Sequence, residues 1–419
     1  MKTLRIQPAK RIAGEIRPPS DKSITHRALL FAALAEQESY IKRALTAEDC
    51  LDMRACLTRL GLQITEDGPG LRLKPVAWAS PDEPLDCGNS GTAMRLLAGA
   101  IASHDGLVAT LVGDESLSGR PMKRVTEPLR QMGAEIEGIT APLKVSGARL
   151  RGLNANLDVA SAQVKSAILI AGLRASRETT VHEPSQSRDH TERMLTAIGA
   201  IIHRGDRTAT IEPGPLRGFE ARIPGDLSSA AFWIVAATLL HGSELILHDL
   251  GTNPTRTGLF DILRDPTLEN QRENLSEPVA EMVIERPNLP APFLIEGDLV
   301  PRLIDEIPIL AVLGTQLSGT SIIKDASELR VKESDRIAKT AEFLNEMGAA
   351  ITLTEDGMII EGPTPLRGGI INSGGDHRIA MSAVIAGLVA EQETMVNDVE
   401  CIATSYPDFV QHMEKLVEY

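Results

Sequence analysis

Two kinds of segment alternate along the 419-residue chain. The first kind opens on small, polar or Gly-rich residues and continues as a run that is apolar nearly all round. It occurs at Ser20-Asp21-Lys22-Ser23 before ITHRALLFAALAE, at Gly88-Asn89-Ser90-Gly91 before TAMRLLAGAIAS and at Ala160-Ser161-Ala162-Gln163 before VKSAILIAGLRAS. It recurs at Gly225-Asp226-Leu227-Ser228-Ser229 before AAFWIVAATLLHG, at Ile304-Asp305-Glu306 before IPILAVLGTQLSG and at Gly374-Gly375-Asp376-His377-Arg378 before IAMSAVIAGLVAE. A helix apolar on every side is predicted to be buried rather than to float on a surface.

The second kind follows each of these runs. A short β-like stretch comes first (ESYIKRAL, LVATLVGD, TTVHEP, SELILHDL, TSIIKDA, TMVNDV). Its β-branched residues alternate or cluster as strands do. An amphipathic helix comes next and often stops at a glycine, as in LDMRACLTRLG, VTEPLRQMG, HTERMLTAIG and RIAKTAEFLNEMG. Two further short strands close the unit, as in AAITLTEDGMIIEG with Asp356-Gly357 at the turn. In the fourth copy this hairpin reads as degraded (DPTLENQRENLSEP), and the sixth ends before any hairpin. One unit is strand-helix-strand-helix-strand-strand, about 70 residues long, beyond the usual length of solenoid repeats. Six units make two groups of three with a boundary near Pro224-Gly225, and two domains of about 200 residues suit the usual domain size.

Composition then becomes intelligible. Aromatic residues are 3% of the chain, because buried Ala-rich helices pack closely without rings. Lys and Arg number 43 against 57 Asp and Glu, a net charge of −14. That balance argues against a nucleic-acid or anionic-membrane partner. The apolar run Ala230–Leu240 is too short to span a bilayer. The segment 1–22 is basic and has no apolar core of a secretory signal. Four cysteines without a C-x-x-C pair and nine scattered histidines give no zinc spacing and read as reduced thiols. No metal or cofactor is expected, and the location expected is cytoplasmic.

The chemistry concentrates at the helix starts. Such ends carry unpaired N–H groups and partial positive charge, and they bind phosphate and carboxylate. Ser, Asp and Asn there serve as ordinary caps. Lys22 and Arg378 oppose the dipole, which calls for an anion between charge and helix. Two basic clusters lie between repeats, Gly119-Arg120-Pro121-Met122-Lys123-Arg124 and Arg330-Val331-Lys332-Glu333-Ser334-Asp335-Arg336. The second is expected to start a helix with Lys332 and Arg336 one turn apart. Arg188 adds a further guanidinium, a group that grips carboxylate and phosphate oxygens in pairs. A local basic cleft for a small polyanion is expected inside an acidic protein. No P-loop accompanies it, since Asp21-Lys22-Ser23 lacks the preceding glycine, and no strand-linked G-x-G-x-x-G is present.

These motifs, in order, resemble the 3-phosphoshikimate 1-carboxyvinyltransferase (5-enolpyruvylshikimate-3-phosphate synthase) family. They are Ser20 to Arg27 (SDKSITHR), Gly88 to Ala93 (GNSGTA), Arg120-Pro121-Met122, Ser161 to Ser166 (SAQVKS) and Arg188 to Glu192 (RDHTE). Asn253-Pro254-Thr255-Arg256, Asp305-Glu306, Arg330 to Arg336 (RVKESDR) and Asp376 to Ala380 (DHRIA) complete the set. The resemblance implies an α/β (α+β) fold, a two-domain inside-out α/β barrel of six βαβαββ repeats with buried, parallel Ala-rich helices. Residues 14–224 would form the N-terminal domain, and residues 1–13 with 225–419 the C-terminal one. The active site would lie in the interdomain cleft, which closes on substrates.

The same resemblance implies transfer of the enolpyruvyl group of phosphoenolpyruvate to the 5-hydroxyl of 3-phosphoshikimate. It assigns Lys22, Ser23, Arg27, Ser161, Ala162, Gln163, Arg188, Asp305 and Lys332 to 3-phosphoshikimate. It assigns Lys22, Gly91, Arg120, Gln163, Arg336 and Arg378 to phosphoenolpyruvate. Gly91, having no side chain, would let the donor approach the helix backbone. The reaction needs a base at the hydroxyl, expected to be Asp305. It needs an acid/base at the donor methylene, expected to be Glu333 with Lys22 assisting. Partners would be these two small anions, with no nucleic acid and no membrane, acting on a monomer. One departure stands out, because Thr404 precedes Ser405-Tyr406-Pro407-Asp408 where some members carry Lys. Two rival readings are weaker. The sister transferase acting on UDP-N-acetylglucosamine typically has a cysteine in the loop that here reads Asp114 to Pro121 (DESLSGRP). A non-enzymatic anion-binding repeat protein would not need Asp305 and Glu333 among the basic residues.

Overall fold

The computed structural model describes residues 2–264, 266–285 and 288–419. The chain forms two compact units. Unit 1 is Met1–Pro19, Gly225–Arg272 and Pro278–Tyr419; unit 2 is Ser20–Pro224 with Glu273–Glu277.

Unit 2 is built around three core helices, Lys22–Leu34, Gly91–Ala102 and Ala162–Gly172. Each begins where a side chain caps it: Asp21 accepts from the Ile24 N–H, Ser90 from Ala93 and Ser161 from Val164. Nearly every later residue of these helices is buried. Three four-stranded sheets cover them. In the third, Asn154–Asn156 pairs parallel with Thr179–His182, which pairs antiparallel with Thr208–Ile211, which pairs antiparallel with Ile202–Gly205. The sheet of the second repeat has the same order of pairings. That of the first repeat is led by Glu220–Arg222, which pairs parallel with Ser39–Lys42. The amphipathic helices stop as the sequence predicts. Lys123–Met132, for instance, ends on Gly133 at φ 117°, a left-handed conformation that costs glycine least.

Unit 1 repeats the plan around Leu227–Leu239, Ile307–Thr315 and His377–Val389. Asp226 and Asp376 cap two of them, while the other opens with Pro308 in its first turn, where no N–H is needed. Two of its sheets are completed by the start of the chain. Arg11–Ile16 pairs parallel with Glu244–Gly251, and Thr3–Ile6 pairs antiparallel with Thr394–Asn397. Val417–Glu418 adds to the outer edge of Arg11–Ile16. The sixth repeat thus receives its missing antiparallel partner from the N-terminus. The strand before the first core helix and the strand before the fourth are exchanged: the former serves unit 1 and the latter unit 2.

The six sheets stay separate, and no sheet among the described residues closes on itself. Among the described residues the interior is two large aliphatic clusters, one per unit, and a small one of Leu45, Ala47 and Cys50; each fully buried Leu or Ile contributes about 1.5–3 kcal/mol. The buried Phe, Tyr and Trp rings other than Phe31 lie in unit 1, where Trp233 stacks on Phe409 and donates from Nε1 to the Tyr406 hydroxyl at 2.8 Å. All four cysteines are free thiols. Among the described residues no helix is long and apolar enough to cross a membrane, and no group of three or more His, Cys, Asp or Glu could hold a metal.

Two expectations are corrected. The fourth repeat is not degraded at its hairpin, since Thr267–Asn274 and Glu277–Glu285 are long paired strands. The first of these is almost wholly polar and exposed, so no apolar alternation marks it; Asp265 of that segment lies outside the described residues. Lys332 and Arg336 do not share a helix face. Asp335 caps the helix Arg336–Glu346, and Lys332 precedes it in extended backbone.

Candidate functional site

In unit 2 the starts of the three core helices are bonded to one another in pairs. His26 joins the first and second. Its Nδ1 lies 2.7 Å from the Lys22 carbonyl, so that nitrogen carries the hydrogen, and Nε2 accepts from the Ser90 hydroxyl at 3.0 Å. Burial pushes the His26 imidazole down to about 4, so it is neutral at physiological pH. Gln163 joins the second and third, accepting from Arg95 Nη1 at 2.7 Å and donating to the Thr92 hydroxyl at 2.9 Å. Arg27 joins the first and third, donating from Nη2 to Ser166 Oγ at 2.8 Å and from Nε to Thr191 Oγ1 at 2.7 Å. Burial lowers Arg27 to about 10, opposed by Glu192, Asp21 and Glu277, and it remains a cation.

The expected substrate residues of unit 2 sit on this triangle. Lys22 opens the first helix and pairs with Asp49 at 3.0 Å. Ser23 lies beside it, its carbonyl accepting from Arg27 at 3.0 Å. Gly91 opens the second helix. Ser161 caps the third, with Ala162 and Gln163 in its first turn. Arg120 is buried and reaches back to Asn89 Oδ1 at 2.6 Å. Arg188 is half-buried, two residues before the helix His190–Ala197. The neighbouring Ser187 carbonyl lies 3.4 Å from the Lys165 ammonium. Lys165 is itself buried between Glu183 and Glu192, each at 2.7 Å. Burial alone would lower its pKa, but the two carboxylates outweigh it and raise it.

Unit 1 gathers the remaining residues. Arg336 is fully buried and held by three carboxylates: Asp376 at 2.9 Å, Glu333 at 2.6 Å and Asp305 at 3.3 Å. Desolvation opposes its charge, yet these carboxylates together raise its pKa further. Asp305, just before the fifth core helix, also has Arg378 Nε at 3.8 Å and Lys332 Nζ at 3.9 Å. Asp305, Lys332, Glu333, Arg336 and Arg378 are therefore one cluster. The fourth and fifth helix starts join through Ser228, which donates to Glu306 and accepts from Arg256. Thr404 lies against the start of the sixth core helix, its hydroxyl 3.4 Å from Nδ1 of His377, the first helical residue.

The anion that Lys22 and Arg378 demand is thus supplied by the protein, as Asp49 and Asp305. The helix starts expected to be basic are mixed in charge: in unit 1 Lys332, Arg336 and Arg378 interleave with Asp305, Glu333 and Asp376. Sequence reading gives no role to Asp49, Glu183, Glu192 or Arg95. Arg95 had a usable signal, because residues four apart on a helix share a face and Gly91 was already singled out.

Comparison with known proteins agrees with these motifs. The family model for EPSP synthase (3-phosphoshikimate 1-carboxyvinyltransferase) matches residues 6–413. A protein of Gloeobacter violaceus named 3-phosphoshikimate 1-carboxyvinyltransferase is 49% identical over 424 residues, covering 98% of each chain. One of the same name from Bacillus licheniformis is 47% identical over 420 residues, covering 97% of this chain and 98% of its own. The solved structure of EPSP synthase from Acinetobacter baumannii superposes with a TM-score of 0.88 at 39% identity, covering 100% of this chain and 98% of its own. With its repeats, its paired helix starts and a match across nearly its whole length, the chain belongs to the EPSP synthase (3-phosphoshikimate 1-carboxyvinyltransferase) family.

Proposed function

We propose that the protein transfers the enolpyruvyl group of phosphoenolpyruvate to the 5-hydroxyl of 3-phosphoshikimate. The products are 5-O-(1-carboxyvinyl)-3-phosphoshikimate and phosphate, a step of the shikimate pathway toward chorismate and aromatic amino acids. The observation that carries this reading is the cluster in unit 1, where two carboxylates, Asp305 and Glu333, share the buried guanidinium of Arg336. Addition–elimination needs such a pair amid cations. Asp305 takes the proton of the attacking hydroxyl, and Glu333 with Lys22 serves the methylene carbon, first giving and then removing a proton. Lys22, Arg120, Arg336 and Arg378 stabilise the charge of the tetrahedral adduct and of the leaving phosphate.

Lys22, Ser23, Arg27, Ser161, Ala162, Gln163, Arg188, Asp305 and Lys332 bind 3-phosphoshikimate in this reading. Lys22, Gly91, Arg120, Gln163, Arg336 and Arg378 bind phosphoenolpyruvate. Binding replaces internal ion pairs: phosphate or carboxylate oxygens take the place of Asp49 on Lys22 and relieve the crowding of cations on Asp305. The enzyme acts as a cytoplasmic monomer without a cofactor. Purified protein given both substrates, with no metal or nucleotide added, should release inorganic phosphate in step with product. No release at neutral pH would overturn the proposal.

A further inference from the structure

Arg95 lies one turn into the second core helix, on the same face as Gly91. Helical side chains lean toward the N-terminus, so its guanidinium runs back over the helix start. Nη1 donates to the Gly91 carbonyl at 3.1 Å and to Gln163 Oε1 at 2.7 Å, and Nη2 reaches the Pro121 carbonyl at 3.5 Å. Gly91 stands between two guanidiniums. A Cβ placed on it would meet Arg95 Nη1 at 2.6 Å and Arg120 Nη1 at 3.4 Å.

We propose that Arg95 is a further donor-binding residue, acting beside Arg120, and that glycine at position 91 favours donor binding because the Arg95 guanidinium rests on its bare Cα. This deepens the enolpyruvyl-transfer reading and rests on it. Gly91, Gln163 and Arg120 are three of the residues assigned to phosphoenolpyruvate, and Arg95 touches the first two and the turn that carries the third. A guanidinium half-buried among them adds a planar, permanently charged fork suited to a carboxylate or phosphate. The requirement at position 91 then differs from simple room for the donor. A methyl group there meets the far end of a flexible side chain, which can swing away. Gly91→Ala should therefore fold normally but carry Arg95 displaced from Gln163.

Steady-state phosphate release by four proteins tests this: wild type, Gly91→Ala, Arg95→Gln and the double variant, with thermal unfolding as a control. Wild-type turnover comes first, since its absence refutes the enolpyruvyl-transfer reading itself, whatever Arg95 does. Given turnover, Arg95→Gln should raise KM for phosphoenolpyruvate about tenfold or more, leave KM for 3-phosphoshikimate within about twofold, and be partly rescued by Arg95→Lys. Gly91→Ala should raise the donor KM about tenfold in the wild-type background and less than about twofold in Arg95→Gln. Independent, multiplying effects would place the glycine requirement on the donor alone and overturn the proposal. An unchanged donor KM in Arg95→Gln would overturn it too, as would equal changes in both KM values with a lowered melting temperature.

Discussion

Arg336 and Asp376 grip each other at two points, Nε to Oδ2 at 2.9 Å and Nη2 to Oδ1 at 3.2 Å, with both side chains sealed from water. The same carboxylate caps the sixth core helix by accepting from the Arg378 N–H at 2.9 Å. One residue therefore fixes the buried guanidinium and the helix start that carries the next one. Asp376→Ala leaves Arg336 short of a partner where water cannot replace it. A loss of about 3–5 kcal/mol is expected; urea unfolding with a loss below about 1 kcal/mol would show the grip to be dispensable.

Asp305→Ala should lower turnover by about 10²–10⁴-fold, the usual range for a general base. Affinity for 3-phosphoshikimate, measured by calorimetry, should change little, because Lys22, Arg27, Gln163, Arg188 and Lys332 remain. A large loss of affinity would make binding, not proton transfer, the main role of Asp305.

His26 gives a pH signature. Its folded pKa of about 4 lies below the ordinary 6.5 because of burial, so the unfolded chain takes up the proton first. The linked stability is full above pH 6.5 and is lost as pH falls toward 4, by about 3 kcal/mol at pH 4. His26→Asn should be less stable than wild type at pH 7.5 yet lose less on acidification. Parallel stability curves for the two proteins would contradict this.

Asp52 has the opposite sign. Its carboxyl is raised to about 6, first by burial and then by Asp49, Asp86, Glu48 and Asp114. Stability from this group is present at low pH and lost as pH rises through 6. Asp52→Asn should raise the melting temperature at pH 8 and leave it unchanged near pH 4. An equal shift at both would rule out a charge effect.

The sequence made the core legible wherever burial writes a pattern. Helices such as Leu227–Leu239 are apolar on every side, and strands such as Val108–Val112 alternate. It was silent at Thr267–Asn274, whose backbone pairs while its side chains face water. The site divided the same way. Residues at helix starts were visible, because unusual charge there is costly. Lys22–Asp49 and Lys165–Glu183 were not, since each joins residues of different elements that no periodicity relates. Charge spacing predicts Lys332 on a helix, but Asp335 accepts from the Ala338 N–H and starts the helix later.

Synthesis order gives the strand exchange a consequence of its own. Residues 3–6 and 11–16 leave the ribosome first, yet their partners, Thr394–Asn397 and Glu244–Gly251, emerge much later. Unit 2 can condense once Glu273–Glu277 has appeared; by then Glu244–Gly251 is available to residues 11–16, while residues 3–6 still wait for Thr394–Asn397. Residues 3–6 therefore stay without their partner strand through most of translation, and a tag or fusion that hinders them should impair unit 1 while sparing unit 2.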